Sequence, residues 1–332
     1  MKQLSSLDRR RFLKVTTASA AAMTLPAAIT QPVTAAERKA PMIVDTHMHV
    51  WADDPDRYPF PHPYSKEFKE PDHPGTVEML IDDMDDYGCT HAVLVQVIFH
   101  GWDNTYTADC VRQYPDRLRG HGLIDPTDPN VADKLEYWIK EQGLHGMRFS
   151  PIYYQDGRNG GDGWLDAEET HKLWNKAAEL EAVFNFFISP PQLPKLETMV
   201  KAHPDVRIIV DHYSQMDLSQ PDPEPDFRRL LNMAKYPNVW VKITELSSVS
   251  KSKVYPFEDA YPYVKRVYEA FGPDRLLFGT GYPGSARKAY NRPTLGEEIA
   301  LIRDKMPFFS KEDSDKILGL NAAQLWDLKP LA

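Results

Sequence analysis

The 332-residue sequence predicts a single (β/α)8 barrel, the TIM-barrel architecture, on three observations. From residue 42 onward, short β-rich runs alternate with helix-period segments, the pattern of parallel βα units rather than of hairpins. Eight such runs fall within about 290 residues, and a barrel of this kind takes about 250 residues plus insertions. No Gly-x-Gly-x-x-Gly follows the first run, so nothing favours the alternative, an open doubly wound sheet.

The strands are expected over residues 42–50, 90–98, 118–124, 144–149, 183–188, 207–210, 239–243 and 276–279. Each is a short apolar run bounded by turn-forming or charged residues. Between them, helices are expected over 77–87, 132–142, 167–180, 193–202 and 260–271, where apolar residues recur at helical spacing. Two segments interrupt this alternation, the Pro-rich stretch 53–74 after the first strand and the stretch 153–163 after the fourth. Both are strand-to-helix loops, which lie on the face where barrels place their active sites.

Composition narrows the class of function. With 42% apolar and 26% charged residues the chain is too apolar for disorder, and no run of about 18 uncharged apolar residues supports a stable membrane span. Lys and Arg number 39 against 48 Asp and Glu; the resulting charge of −9 has the wrong sign for a nucleic-acid partner. Cys89 and Cys110 are too few for a disulfide framework and read as free thiols or one optional bridge.

Residues 1–36 read differently from the rest. Asp8-Arg9-Arg10-Arg11-Phe12-Leu13-Lys14 precedes a weakly hydrophobic Ala/Thr/Met stretch, then Pro32 and the small pair Ala35-Ala36. The segment resembles a twin-arginine signal peptide, with Asp8 where Ser or Thr is usual. It implies recognition by the twin-arginine export machinery and a periplasmic or exported protein. Removing its net charge of +4 would leave 37–332, the barrel domain, at −13.

The chemistry-bearing residues fall at strand ends. His47 and His49, two apart on the first strand, project to the same side and could ligate one divalent metal. By the same alternation Asp45 is expected one layer deeper on that face. Arg148, at the end of the fourth strand, could grip a carboxylate with two parallel hydrogen bonds. Tyr153, Tyr154 and Tyr282 sit in mouth loops and could bind substrate or donate to an oxyanion. Lys242 lies on the seventh strand, where the alternation leaves open whether it faces the interior.

Several motifs together carry a resemblance: Val44-Asp45-Thr46-His47-Met48-His49-Val50-Trp51, Gln96 with Asp103-Asn104, Gly146-Met147-Arg148, Val210-Asp211-His212, Leu277 to Pro283, and Asn321 to Trp326. In these the chain resembles the amidohydrolase-related hydrolases, most closely in pattern the lactonase-like branch. The resemblance implies that His47, His49 and His212 are site histidines able to hold a metal, Zn²⁺ before others, and that Arg148 binds a carboxylate or polarises a carbonyl.

Two positions depart from the family pattern. An Asp that in the family pattern is a metal ligand or the general base that activates water is here Gly281, and the fifth-strand position that often holds a metal-binding His is apolar, near Phe186 or Phe187. Glu245 and Asp45 are the nearest carboxylates to replace the base, and His121 is an extra imidazole. The implied activity is hydrolysis of a small anionic lactone or related ester. Non-oxidative decarboxylation, or a pocket that binds without turnover, are the alternatives.

Overall fold

The computed structural model describes residues 42–331; the expected signal at residues 1–36 lies outside them. Eight parallel strands run in the order β1 to β8: β1 Val44–Met48, β2 His91–Val95, β3 Leu118–Leu123, β4 Gly146–Phe149, β5 Val183–Phe186, β6 Arg207–Val210, β7 Val239–Lys242 and β8 Leu276–Leu277. They fall within all eight expected runs, shorter at the ends where the ladder gives way to loops. The helices between them include α1 Val77–Tyr87, α2 Thr105–Gln113, α3 Val131–Glu136, α4 His171–Glu179, α5 Leu193–Ala202, α6 Glu224–Asn232, α7 Leu246–Val249 and α8 Tyr261–Phe271, and α9 Gly284–Ala289 follows β8. Three more, α10 Leu295–Ala300, α11 Lys311–Asp315 and α12 Asn321–Leu325, follow α9.

Strand alternation divides the apolar residues between two cores. Ala92 and Leu94, Met147 and Phe149, Phe184 and Phe186, Ile208 and Val210, and Val239 and Val241 face the helix layer. Val44, Val93, Val183, Ile209 and Leu277 point inward and are closed off by Leu325 and Trp326 of the C-terminal segment. The indole of Trp326 donates to His121 Nε2 at 3.0 Å, so His121 is engaged with this plug. Cys89 and Cys110 are buried free thiols without a bridge. Among the described residues no helix is long and apolar enough to cross a membrane.

The barrel closes between β1 and β8. Thr46 N donates to Phe278 O at 2.9 Å, Gly281 N to His47 O at 2.6 Å, and His49 N to Gly281 O at 2.7 Å. The register of β1 against β2 shifts between Asp45 and Met48, which carries the strand from Val44 facing inward to His47 and His49 facing inward. The strict alternation expected for Asp45 therefore fails. Its carboxylate accepts from Thr280 N and His47 N, both at 3.0 Å, and from Thr280 Oγ1 at 2.5 Å. Arg287 of α9 extends this network, donating to Thr280 Oγ1 at 2.6 Å and to Asp83 of α1 at 3.1 Å. Asp45 clamps the closure to the helix layer and is not a site carboxylate.

Glu298 in α10 is fully buried, and neither carboxylate oxygen has a hydrogen-bond partner among the described residues. Burial pushes its carboxyl up from 4.5 to about 8, against the pull of Arg287. A raised folded-state value favours folding fully below pH 4.5, and that contribution is lost as the pH rises through about 8. Glu298→Gln is expected to flatten this loss. Chemical denaturation at pH 5 and pH 9 checks it: the variant should gain on wild type at pH 9 and not at pH 5.

Candidate active site

Lys242 faces inward, because Val241 and Ile243 beside it pack on the helix layer. Its fully buried ammonium donates to Asp211 Oδ1 at 3.0 Å and lies 2.9 Å from His47 Nδ1. Asp211, one residue past β6 and also fully buried, accepts further from Arg148 Nε and Asn185 Nδ2, both at 3.3 Å. Burial alone would push the Asp211 carboxyl up, but Lys242 and His47 hold it well below the usual carboxylate range. Below the cavity floor there is thus a fixed carboxylate shared by two cations.

The histidines sit above it. His49 Nδ1 is 2.7 Å from Val95 O; a carbonyl only accepts, so Nδ1 carries the hydrogen and Nε2 presents a lone pair. His47 Nε2 stands 3.2 Å from that nitrogen. Burial drives both imidazoles toward the neutral form, His47 well below its ordinary value with Lys242 adding to the effect, and His49 to about 3. His212 arrives from an unusual turn: His212, Tyr213, Ser214 and Gln215 all have left-handed backbone, with φ of 45, 54, 59 and 53°. Such a run costs roughly 1–2 kcal/mol per residue for L-amino acids, and tertiary bonds impose it. Ser214 Oγ donates to Ile188 O at 3.1 Å, and the Tyr213 hydroxyl donates to Ile243 O. The turn brings the His212 ring to 4.3 Å from that of His47, with neither ring nitrogen in a well-formed hydrogen bond.

A cavity of about 190 Å³ opens above these groups at the C-terminal mouth. Of the residues expected at the site, His47, His49, His212, Arg148, Glu245, Tyr153 and Tyr282 line it. Tyr154 does not. Its hydroxyl accepts from Tyr64 of the long loop after β1 at 2.9 Å, and it borders a separate small void beneath. Arg148 stacks over Phe187, with the guanidinium carbon 4.4 Å from the ring centre, so the apolar fifth-strand residue serves as a platform for the cation. Only its Nε bonds to Asp211; the two terminal nitrogens have no protein acceptor among the described residues.

Two contributors, Asp211 and Arg292, escaped the sequence reading, and a third, Lys242, was read with its facing left open. Asp211 was visible beside His212 but carried no periodic signal for its role. Lys242 needed the strand's facing to be known. Arg292, between Asn291 and Pro293 in the segment after α9, belongs to no motif, yet it reaches back to Glu245 Oε2 at 3.2 Å and to Ser248 Oγ at 2.8 Å.

The group whose ligand atoms converge within 4.8 Å, and which could hold a metal ion, is His47, Asp211 and His212. Asp211 is already neutralised by Lys242 and Arg148, which makes it the poorer donor. His49 lies outside that converging group, although its Nε2 stands 3.2 Å from His47 Nε2; His212 has two buried nitrogens outside any hydrogen bond, Nε2 being 3.3 Å from Glu245 Oε1. The ammonium beside His47 Nδ1 favours hydrogen on Nε2. Were His47 to hold an ion through Nε2, its hydrogen would have to sit on Nδ1, where Asp211 Oδ1 at 3.5 Å could accept it.

A parallel barrel with its ionisable groups gathered at the C-terminal strand ends is the architecture of a (β/α)8 enzyme. The chain belongs to the amidohydrolase family, whose profile, described as Amidohydrolase, matches residues 44–328. It is 29% identical over 285 residues to a 4-sulfomuconolactone hydrolase of Rhizobium radiobacter, covering 85% of this chain and 89% of that protein. Its fold matches a crystal structure of a probable 2-pyrone-4,6-dicarboxylic acid hydrolase from Acinetobacter baumannii with citric acid bound. That match has a TM-score of 0.69 and 23% identity, covering 86% of this chain and 99% of the other. It also matches an amidohydrolase of Burkholderia multivorans with bound zinc, at a TM-score of 0.68 and 18% identity, covering 87% and 100%.

Removing one partner of a buried ion pair leaves an uncompensated charge and costs roughly 3–5 kcal/mol. Because Arg148 remains on Asp211, Lys242→Met is expected at the low end, about 3 kcal/mol. Urea unfolding of the two proteins measures it, and a loss under about 1 kcal/mol would mean that the pair contributes little.

Proposed function

We propose that this enzyme hydrolyses a small lactone, or a related ester, that carries a carboxylate. The observation that carries the proposal is Arg148: it lines the cavity together with the neutral imidazoles, and its two terminal guanidinium nitrogens have no protein acceptor among the described residues. A guanidinium so presented matches a carboxylate through two parallel hydrogen bonds. The Phe187 platform and the Nε bond to Asp211 hold it in one orientation, so little side-chain freedom is lost on binding. The lactone names of the sulfomuconolactone and pyrone-dicarboxylic acid hydrolases support the same class of substrate.

Once the carboxylate is fixed, the ring carbonyl is held over His47, His49 and His212. A divalent ion, Zn²⁺ for preference, would be held by these three histidines and would polarise that carbonyl as a Lewis acid. The protein's own share is to keep the imidazoles neutral by burial, to fix the His49 tautomer through Val95, and to present the Tyr282 hydroxyl at the rim. Residues 1–36 are proposed to direct the folded enzyme through the twin-arginine route, which carries folded and loaded proteins.

A panel of carboxylated and uncarboxylated lactones, monitored by acid release, tests the reaction. Opening of carboxylated lactones is expected, with Arg148→Met raising KM at least tenfold for these and far less for uncarboxylated ones. If no lactone opens while an aromatic carboxylic acid releases CO₂, the decarboxylase alternative replaces this reading. Metal analysis of protein exported by its own signal should find close to one ion per chain, and Arg9→Lys with Arg10→Lys should retain the precursor in the cytoplasm.

A further inference from the structure

Glu245 has a backbone conformation that its side chain does not favour. It lies two residues beyond Ile243 on the β7 side of the mouth, with φ 59° and ψ 38°, the left-handed region that a non-glycine residue enters at a cost of roughly 1 kcal/mol or more. It is also buried, at 7% exposure, although it is an acid at the edge of a cavity. Both features serve one placement. The left-handed step turns the side chain from the end of β7 across the mouth toward the β1/β8 seam, where its carboxylate lies against Gly281.

Gly281 has the reciprocal geometry. Its φ of +107° is open only to glycine, and a Cβ built there would stand 2.9 Å from Glu245 Oε1, closer than real contacts allow. The space a side chain at 281 would enter is therefore filled by the carboxylate of 245. Arg292 holds Oε2 at 3.2 Å, and Oε1 lies 3.3 Å from His212 Nε2. Arg292 is in turn fixed by Ser247 and Ser248, at 3.0 and 2.8 Å. The carboxylate is thus anchored on one oxygen, while the other faces the imidazoles and the cavity.

We infer that Glu245 is the catalytic residue that takes the proton of the attacking water, entering from the seventh strand through the space left by glycine at the eighth. The inference rests on the hydrolase reading above. In the step, water oxygen bonds to the lactone carbonyl carbon, the carbonyl π pair moves to its oxygen, and the water proton passes to Glu245. Collapse breaks the bond from that carbon to the ring oxygen, and the leaving oxygen takes the proton back from Glu245. The new carboxylic acid then loses its proton to solvent, so one lactone and one water give one hydroxy-carboxylate and one proton. No other reactant is required.

The backbone supplies a variant that should fold. Glycine accepts a φ of 59° better than glutamate does, so Glu245→Gly removes the carboxylate without backbone strain and leaves a pocket beside Arg292. With a lactone that wild type opens, Glu245→Gly and Glu245→Gln should lose at least 100-fold in kcat with KM within threefold. Formate should restore at least tenfold of the loss to Glu245→Gly and nothing to wild type. Metal content per chain should match wild type in both variants, and Gly281→Ala should lower kcat by displacing the carboxylate.

Retention of kcat within threefold in Glu245→Gln overturns the inference while leaving the lactonase reading intact. So does a fall in metal content that parallels the fall in activity, because Glu245 would then be a ligand. If wild type opens no lactone, the hydrolase reading fails and this inference fails with it.

Discussion

The Asp211 carboxylate is the interaction on which the site depends. It sits at the barrel centre with no solvent exposure, where an unpaired charge would be several kcal/mol unfavourable. Lys242 from β7, Arg148 from β4 and Asn185 from β5 converge on it, and His47 from β1 stands beside it. Four strands and the end of a fifth are thereby tied to one oxygen pair. Each partner is in consequence a functional or supporting group: the ion pair holds Arg148 through Nε and leaves its terminal nitrogens without a protein acceptor among the described residues, and the ammonium selects the hydrogen position on His47.

The second constraint is the seam between β1 and β8. Here the barrel closes through a few hydrogen bonds at Thr46, His47, His49 and Gly281, and the histidines stand on the seam itself. Close approach requires small residues. A Cβ at Gly279 would lie 2.8 Å from that of His47, so glycine there is the condition for the first histidine to occupy its position. Asp45, Thr280 and Arg287 brace the same seam from the helix side. Closure and site are one construction, which explains why polar residues are buried at both faces of so short a ladder.

Much of the architecture was legible in the sequence. The eight runs of residues, the two long mouth loops, the histidine pair and Arg148 were all read from local pattern, because strand alternation and turn chemistry act over a few residues. Pattern failed where the backbone breaks its own period. The register shift between Asp45 and Met48 turned Asp45 away from the histidines, and a strict two-residue alternation cannot anticipate a shift set by the neighbouring strand. Tyr154 was grouped with Tyr153 by adjacency, but its pairing with Tyr64 depends on how two distant loops meet. His121 was an available imidazole until the C-terminal segment folded under it.

By itself the sequence determined the fold class and the strand ends that carry chemistry, since both follow from residue type and short-range spacing, while the apparent loss of a carboxylate at Gly281 followed from the resemblance to the family pattern. Only the tertiary structure decided the facing of Lys242, the role of Asp211 as shared counter-ion, the reach of Arg292 and the replacement of the lost group by Glu245. Each of these depends on residues far apart in the chain, and Glu245 uses left-handed backbone that local preference opposes. Such positions are chosen by packing and charge pairing across the barrel, whose free energy outweighs the local preferences from which a sequence is read.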